Sequence, residues 1–187
     1  MQLAHIGEAL AMFSPNASQG NSEGRRVVMD PTVLAYIAGF LDGDGSIFFQ
    51  LVRRKDYRFG YQIRSSLSFY QKSENQRILH WLKSQLKCGS IRHRKTGISD
   101  YTIVEPKEVR RILRLLQPYT RLKQEHIVLG LQIIEGLQAV DGTADFLKLC
   151  RLVDRFKNLN YSKKRRNTTG QVENFLKSHH ILAPVET

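Results

Sequence analysis

Two aspartates set among glycines, Asp42-Gly43-Asp44-Gly45, follow directly on the apolar run Leu34-Ala35-Tyr36-Ile37-Ala38-Gly39-Phe40-Leu41. The run predicts a helix over residues 31–42, with Asp30 as its cap and Pro31 at its first position. A helix that ends on carboxylates works against its own dipole, whose C-terminal end already favours cations. Asp42 and Asp44 therefore need another source of stabilisation. A bound divalent metal would supply it, because hard cations take carboxylate and carbonyl oxygens.

The small residues of the same helix carry a second message. Ala35, Gly39 and Gly43 recur every four residues and so share one face, with Ala38 beside them. Glycine inside a helix costs about 1 kcal/mol relative to alanine. Repeating it on one stripe makes sense if another backbone must come close, as in helix pairs packed almost in contact. A second copy of the same helix would bring two acidic ends together and suit a paired-metal site. Ala35, Ala38, Gly39 and Gly43 are accordingly the expected dimer interface.

The elements that must position these acids follow from periodicity. A strand is expected over 46–52, a loop or hairpin tip over 53–60, and a strand over 61–70. In the last, Tyr61, Ile63, Leu67 and Phe69 fall on one face and Gln62, Arg64, Ser66 and Ser68 on the other. Ser73-Glu74-Asn75-Gln76 has the form of a capping box, followed by a helical stripe of Ile78, Leu79, Leu82 and Leu86 that Gly89 ends. Strands over 90–95 and 98–104 flank the turn Thr96-Gly97. Pro106 opens a helix to 116, and further helices are expected over 122–137, 146–156 and 172–179, the last two separated by a polar, basic loop over 159–170.

Four strands with helices on one side make a two-layer α+β domain of order αββαββα with additional C-terminal helices. One face of its antiparallel sheet stays polar and exposed. Leu79, Leu82, Ile112, Leu116, Ile127, Ile133, Phe146, Val153 and Phe156 are expected core, and Trp81 packs rather than stacks on a base. Residues 1–29, rich in Ser, Asn and Gly over 14–26, are expected to form a disordered leader, with the domain over 30–180 and a tail over 181–187. As a transit peptide the leader fits poorly, given Glu8 and its late arginines.

Composition sets outer limits. The 187 residues suffice for one domain with a sizeable core. Lys and Arg exceed Asp and Glu by 29 − 17 = +12, which points to a polyanionic partner. Charge alone also fits a ribosome- or membrane-surface protein. No stretch approaches the ~20 apolar residues of a membrane span. Cys88 and Cys150 lie far apart and read as reduced thiols, and no CxxC or HxxxH cluster suggests zinc.

The motif resembles that of the LAGLIDADG homing endonucleases, with Leu34-Ala35 at its front and Ala38-Gly39-Phe40-Leu41-Asp42-Gly43-Asp44-Gly45 at its heart. The resemblance extends over residues 31–169 through Tyr61-Gln62-Ile63, Tyr70-Gln71-Lys72, Arg92-His93-Arg94, Ser99-Asp100-Tyr101, Gln117-Pro118-Tyr119 and Leu122-Lys123-Gln124. It is to the single-motif, homodimeric type encoded in algal organellar rRNA introns. No repeat of the acidic motif is visible, so two metal-bearing ends require two chains.

The resemblance implies a homing-endonuclease fold whose curved four-stranded sheet binds DNA, and a set of site residues. Asp44 is the metal-binding catalytic acid and the Gly43 carbonyl a neighbouring oxygen ligand. Asp42, by its position, reads as orienting or capping nearby backbone. Gln71 matches a residue beside the attacking water, where a glutamine orients but cannot titrate. Lys123 matches an essential lysine whose charge offsets that of the transition state. Asn75 stands where the family often has arginine, which leaves open whether Arg77 serves instead.

Base edges are read by hydrogen bonds in the major groove, and phosphate contacts position the protein. The candidates are Gln50, Arg54, Tyr57, Gln62, Arg64, Ser66, Ser68, Arg92, Arg94 and Asp100. Lys163, Lys164 and Arg166 read as a phosphate clamp, or otherwise as a solubilising charge run.

The implied activity is Mg2+-dependent double-strand cleavage at a long pseudo-palindromic target, promoting intron mobility in an organelle, the chloroplast ahead of the mitochondrion. Mn2+ is expected to substitute, and Ca2+ to bind without supporting cleavage. The expected partners are double-stranded DNA and a second copy of the chain, with no membrane. An intron-RNA maturase and a non-catalytic DNA-binding regulator are the alternatives. A regulator would tolerate loss of Asp44, Gln71 or Lys123, and all are present.

Overall fold

The first helix, α1 (Pro31–Asp44), starts where its cap dictates: the Asp30 carboxylate accepts from the Thr32 amide at 2.7 Å, and Pro31 follows the cap directly. In the computed structural model, which describes residues 29–160 and 167–179, this helix runs past the expected end at 42 to include both acids. It then passes without a loop into strand β1 (Gly45–Arg53). The Gly45 amide closes the helix by donating to the Leu41 carbonyl while its own backbone is already extended. A Cβ at Gly45 would sit 2.5 Å from Leu41 Cδ1 and 2.7 Å from the Leu41 backbone, so glycine alone fits this junction.

β1 turns into β2 (Tyr61–Lys72), and a 3-10 turn (Ser73–Asn75) leads to α2 (Arg77–Leu86). A second hairpin follows, β3 (Ser90–His93) and β4 (Ile98–Ile103), and then α3 (Pro106–Leu116), α4 (Gln124–Leu137), α5 (Thr143–Leu159) and α6 (Thr169–Ser178). The strands form one antiparallel sheet in the order β1-β2-β4-β3. This is the expected two-layer α+β order, with α2 between the two hairpins and α3 to α6 after them as anticipated.

The inner sheet face supplies Ile47, Phe49, Leu51, Ile63, Leu67, Phe69, Tyr101 and Ile103, all buried. Helices cover it: Phe49 meets Phe156 of α5 at 5.0 Å between ring centroids, and Phe40 of α1 meets Phe69 at 6.1 Å. Each such side chain removed from water contributes about 1.5–3 kcal/mol. Leu79, Leu82, Ile112, Leu116, Ile127, Ile133, Phe146, Val153 and Phe156 are all buried as expected. Trp81 packs edge-on against Tyr36 at 5.3 Å. Both cysteines are free thiols. Among the described residues no helix is long and apolar enough to cross a membrane.

Several local expectations give way to tertiary contacts. The capping box at Ser73 and Gln76 does not form: the Ser73 hydroxyl bonds the buried Ser99 hydroxyl at 2.9 Å, and no side chain caps α2. A capping box forms instead at Thr168 with Gln171, opening α6 three residues before the expected start. α5 begins at Thr143 rather than 146 and ends at Leu159 rather than 156. α4 begins at Gln124 rather than 122, because the amides just before it are taken by a carboxylate from α1. The leader and the 181–187 tail lie outside the described residues apart from Met29.

Candidate active site and nucleic-acid interface

At the C-terminal end of α1 the two acids have different surroundings. The Asp42 carboxylate accepts the amides of Arg121 at 2.7 Å, Leu122 at 3.1 Å and Lys123 at 3.0 Å. These are donors at the start of α4 that lack partners within the helix, so Asp42 caps a helix distant from it in sequence. That is the capping role its position suggested.

The Lys123 ammonium returns the contact, donating to the Asp42 carbonyl at 2.5 Å. A cation at the end of α1 opposes the negative pole of its dipole. Burial pushes the Lys123 ammonium below the usual lysine range, and the carboxylates of Asp42 and Asp44 pull it back upward. Lys123 is thus half-buried, fixed at its tip, and close enough to Asp44 to feel its charge.

Asp44 is exposed and, among the described residues, accepts no hydrogen bond. The Gly43 carbonyl beside it lies in the last turn of α1 and has no donor within the helix. Gly45, the next residue, pairs with Phe69 of β2, and Gln71 lies two positions further along that strand. The Gln71 Oε1 accepts from the Lys72 amide at 2.9 Å, and its backbone is paired to Ser99. Arg77 is exposed at the first position of α2 and has no partner among the described residues, while Asn75 is exposed in the preceding 3-10 turn.

Among the described residues no three His, Cys, Asp or Glu side chains converge on a common point. One chain therefore offers a lone free carboxylate and a main-chain oxygen. That donor set fits a hard divalent ion completed by phosphate oxygens, water and a second chain.

The outer sheet face carries the recognition candidates in register. Across the first hairpin Ser46 faces Ser68, Phe48 faces Ser66, Gln50 faces Arg64 and Val52 faces Gln62. Arg64 is exposed, and Gln50, Gln62 and Ser66 are half-buried. Ser68 departs from the expectation of a free reader: it is buried, and its hydroxyl is 2.8 Å from that of Thr102.

Asp100 departs further. It is buried beneath two arginines, accepting from Arg94 Nε at 2.6 Å, Arg92 Nη2 at 3.3 Å and the Thr102 hydroxyl at 3.2 Å. Burial alone would raise its carboxyl, but Arg94, Thr102 and Arg92 together hold it below the usual aspartate range. Asp100 therefore aims Arg92 and Arg94, with side chains 67% and 41% exposed, rather than reaching a base itself. Arg94 also lies over the Tyr70 ring at 5.6 Å.

At the first hairpin's tip Arg54 pairs with Asp56 at 2.7 Å and sits 5.6 Å from the Tyr57 ring, which is exposed. Lys163, Lys164 and Arg166 lie outside the described residues.

The small-residue stripe is open on the protomer. Ala35, Gly39 and Gly43 are exposed, and a Cβ at either glycine would meet nothing within 4 Å. Ala38, expected beside them, is instead fully buried in the protomer's own core. Tyr36, 53% exposed, borders the open stripe and was not singled out by the sequence. Nor were Ser46, Phe48, Val52 and Tyr70 on the outer sheet face; period-two counting from Gln50 and Arg64 finds all four.

Residues 37–134 match a family model described as LAGLIDADG endonuclease. The chain is 38% identical over 146 residues to DNA endonuclease I-CreI of Chlamydomonas reinhardtii, covering 78% of this chain and 89% of that one. It is 34% identical over 148 residues to DNA endonuclease I-CvuI of Chlorella vulgaris, covering 79% and 92%. The crystal structure of I-CvuI in complex with its target in the presence of Ca superposes with a TM-score of 0.77 at 33% identity, covering 81% of this chain and 97% of that chain. The archaeal intron-encoded homing endonuclease I-Vdi141I, complexed with DNA, shares the fold at a TM-score of 0.71 and 18% identity, covering 79% and 96%.

Proposed function

The chain belongs to the LAGLIDADG endonuclease family, and from that membership we propose that it is a site-specific DNA endonuclease acting as a homodimer. It hydrolyses one phosphodiester in each strand of a long pseudo-palindromic duplex, with Mg2+ as the metal, and promotes mobility of an organellar intron. The observation that carries this reading is the contrast at the end of α1: Asp42 is fully engaged in capping, while Asp44 is exposed and unpartnered beside the pinned Lys123.

Asp44 and the Gly43 carbonyl would hold the metal, which when bound neutralises charge and lowers the pKa of water. Lys123 places a fixed positive charge where negative charge grows on the phosphate. Gln71, beyond the junction of acid and sheet, would orient the attacking water through its amide. Arg77, unpaired at the start of α2, is the weaker candidate for a second cation.

The open stripe of Ala35, Gly39 and Gly43 supports the second copy, whose own Asp44 would serve the opposite strand. Gln50, Gln62, Arg64, Arg92 and Arg94 would read bases, Arg54 and Tyr57 the outer part of the site, and Lys163, Lys164 and Arg166 the backbone. The relatives' algal sources support an organellar setting, and we propose the chloroplast ahead of the mitochondrion.

The test is cleavage of a randomised, palindrome-biased duplex library in Mg2+ and then in Ca2+. Cut products in Mg2+ alone support the reading and reveal the target. Specific binding without cutting in either ion would make the chain a regulator. No specific duplex binding would turn attention to host-intron RNA.

A further inference from the structure

Arg53 ends β1 on the helix-covered side of the sheet, paired with Tyr61 and so turned away from the outer face. Its guanidinium lies 3.6 Å from the ring centroid of Phe175 on α6 and 5.1 Å from that of Tyr61. Its Nη1 donates to the Gly60 carbonyl at 2.5 Å, the same oxygen that accepts the Arg54 amide at 3.0 Å. Gly60 has φ +67°, and a Cβ there would strike Arg53 Nη1 at 2.3 Å and Phe175 Cε1 at 2.4 Å. Glycine is thus required both by backbone conformation and by how closely α6 approaches the tip.

α6 is fixed independently of that tip. The Thr169 amide donates to Asp154 of α5 at 2.9 Å, Asn167 donates to the Leu51 carbonyl of β1 at 2.8 Å, and Val172 and Leu176 are fully buried. A two-stranded hairpin end is marginal by itself. Here the residues flanking 54–60, Arg53 and Tyr61, pack on Phe175 of α6, while Phe59 within the tip stacks on Phe146 of α5 at 4.8 Å.

We propose that α6 is a strut that sets the position of the β1–β2 tip, with Phe175 and Arg53 as positioning residues for discrimination at the outer base pairs of the target. This rests on the nuclease reading above for what the tip does, but not for how the tip is held. The stacked guanidinium serves as a geometric wedge: a planar cation over an aromatic face fixes distance and tilt in a way that lysine or an aliphatic side chain does not. Arg53 supplies no DNA contact of its own. It acts through Arg54 and Tyr57, which the tip presents.

The experiment is amide hydrogen exchange on the full chain, followed by cleavage profiling on targets substituted singly at outer and inner base pairs. Phe175→Ala should speed exchange of the Arg54, Tyr57 and Gly60 amides by about two- to fivefold, the worth of one exposed cation–π contact. Exchange in the Arg94–Gly97 turn of the other hairpin should be unaltered. Discrimination at outer base pairs should fall by a similar factor, with inner discrimination and turnover on the preferred target unchanged. Phe175→Trp, which keeps a ring, should retain both properties, and Arg53→Lys should lose both.

Unchanged exchange in the tip would overturn the proposal, as would loss of protection throughout the sheet. Equal loss of discrimination at inner and outer positions would overturn it too. Faster exchange confined to the tip, in a chain whose wild type cuts no duplex, would refute the nuclease reading and leave the strut standing.

Discussion

Asp42 and Lys123 hold each other reciprocally: the Asp42 carboxylate accepts the Lys123 amide at 3.0 Å, and the Lys123 ammonium donates to the Asp42 carbonyl at 2.5 Å. The end of one helix and the start of another are thereby locked, and the lysine cannot leave the vicinity of Asp44 without breaking the lock. Asp42→Ala should cost about 1.5–3 kcal/mol in stability, the scale of hydrogen bonds to a charged acceptor. It should also slow cleavage by on the order of a hundredfold through misplacement of the ammonium. Denaturant midpoints and single-turnover rates read the two effects, and an unchanged rate would break the link from Asp42 through Lys123 to the chemistry.

Asp44→Asn tests the free acid. Because Asp44 makes no hydrogen bond among the described residues, its replacement should leave stability unaltered. Cleavage should fall by roughly a thousandfold or more, with target binding largely retained. Gel-shift and cleavage assays on the same preparation separate the two, and full activity in the variant would remove Asp44 from the site.

Asp100 gives a pH signature. Its carboxyl is held below the ordinary aspartate value of 3.8 by Arg94, Thr102 and Arg92 acting against burial. On acidification the unfolded chain takes up this proton first. The stabilisation is therefore full above 3.8 and is lost as pH falls through the folded value. Asp100→Asn should cost about 1.5–3 kcal/mol at neutral pH, with the gap to wild type narrowing in acid below the aspartate range. The same variant frees Arg92 and Arg94 and should broaden base preference beneath the second hairpin. A gap that does not change with pH would mean that the ion pairs contribute nothing net.

Gly39→Leu separates folding from assembly. A Cβ at Gly39 meets nothing within 4 Å in the protomer, so the chain should fold at least as stably, glycine being a poor helix former. The dimer should weaken, its dissociation constant rising by about a hundredfold, if two copies of α1 pack face to face, since a close helix crossing has no room for leucine. Sedimentation equilibrium decides, and an unaltered dimer would place the interface elsewhere.

The fold was readable from local signals wherever one periodicity ruled. Alternation in 61–70, the Thr96-Gly97 turn and the two helix-opening prolines placed strands and helices close to where they stand. Reading failed where a distant partner decided. Nothing near Ser73 signals that its hydroxyl goes to Ser99, and nothing near 122 signals that Asp42 will take the amides that would have begun a helix there.

At the site, the motif distinguished the free acid from the capping one. The sheet face was legible only in part. Alternation identified Arg64 and Arg92, but it could not tell that Asp100 lies beneath its neighbours or that Ser68 is spent on Thr102. The burial of Ala38 was hidden for a related reason: the stripe spacing names a face, whereas the angle at which α1 lies on the sheet decides where that face ends.

No loop separates Asp44 from the sheet. Gly45 follows the acid and is already paired with Phe69. Under the proposed function, cutting acid and reading face are therefore one piece with no loop between them. On that reading, a mismatch that tilts the sheet in the groove should tilt the acid with it. For the engineer the same directness predicts that outward side chains could be exchanged to retune the address while Asp44 keeps its place.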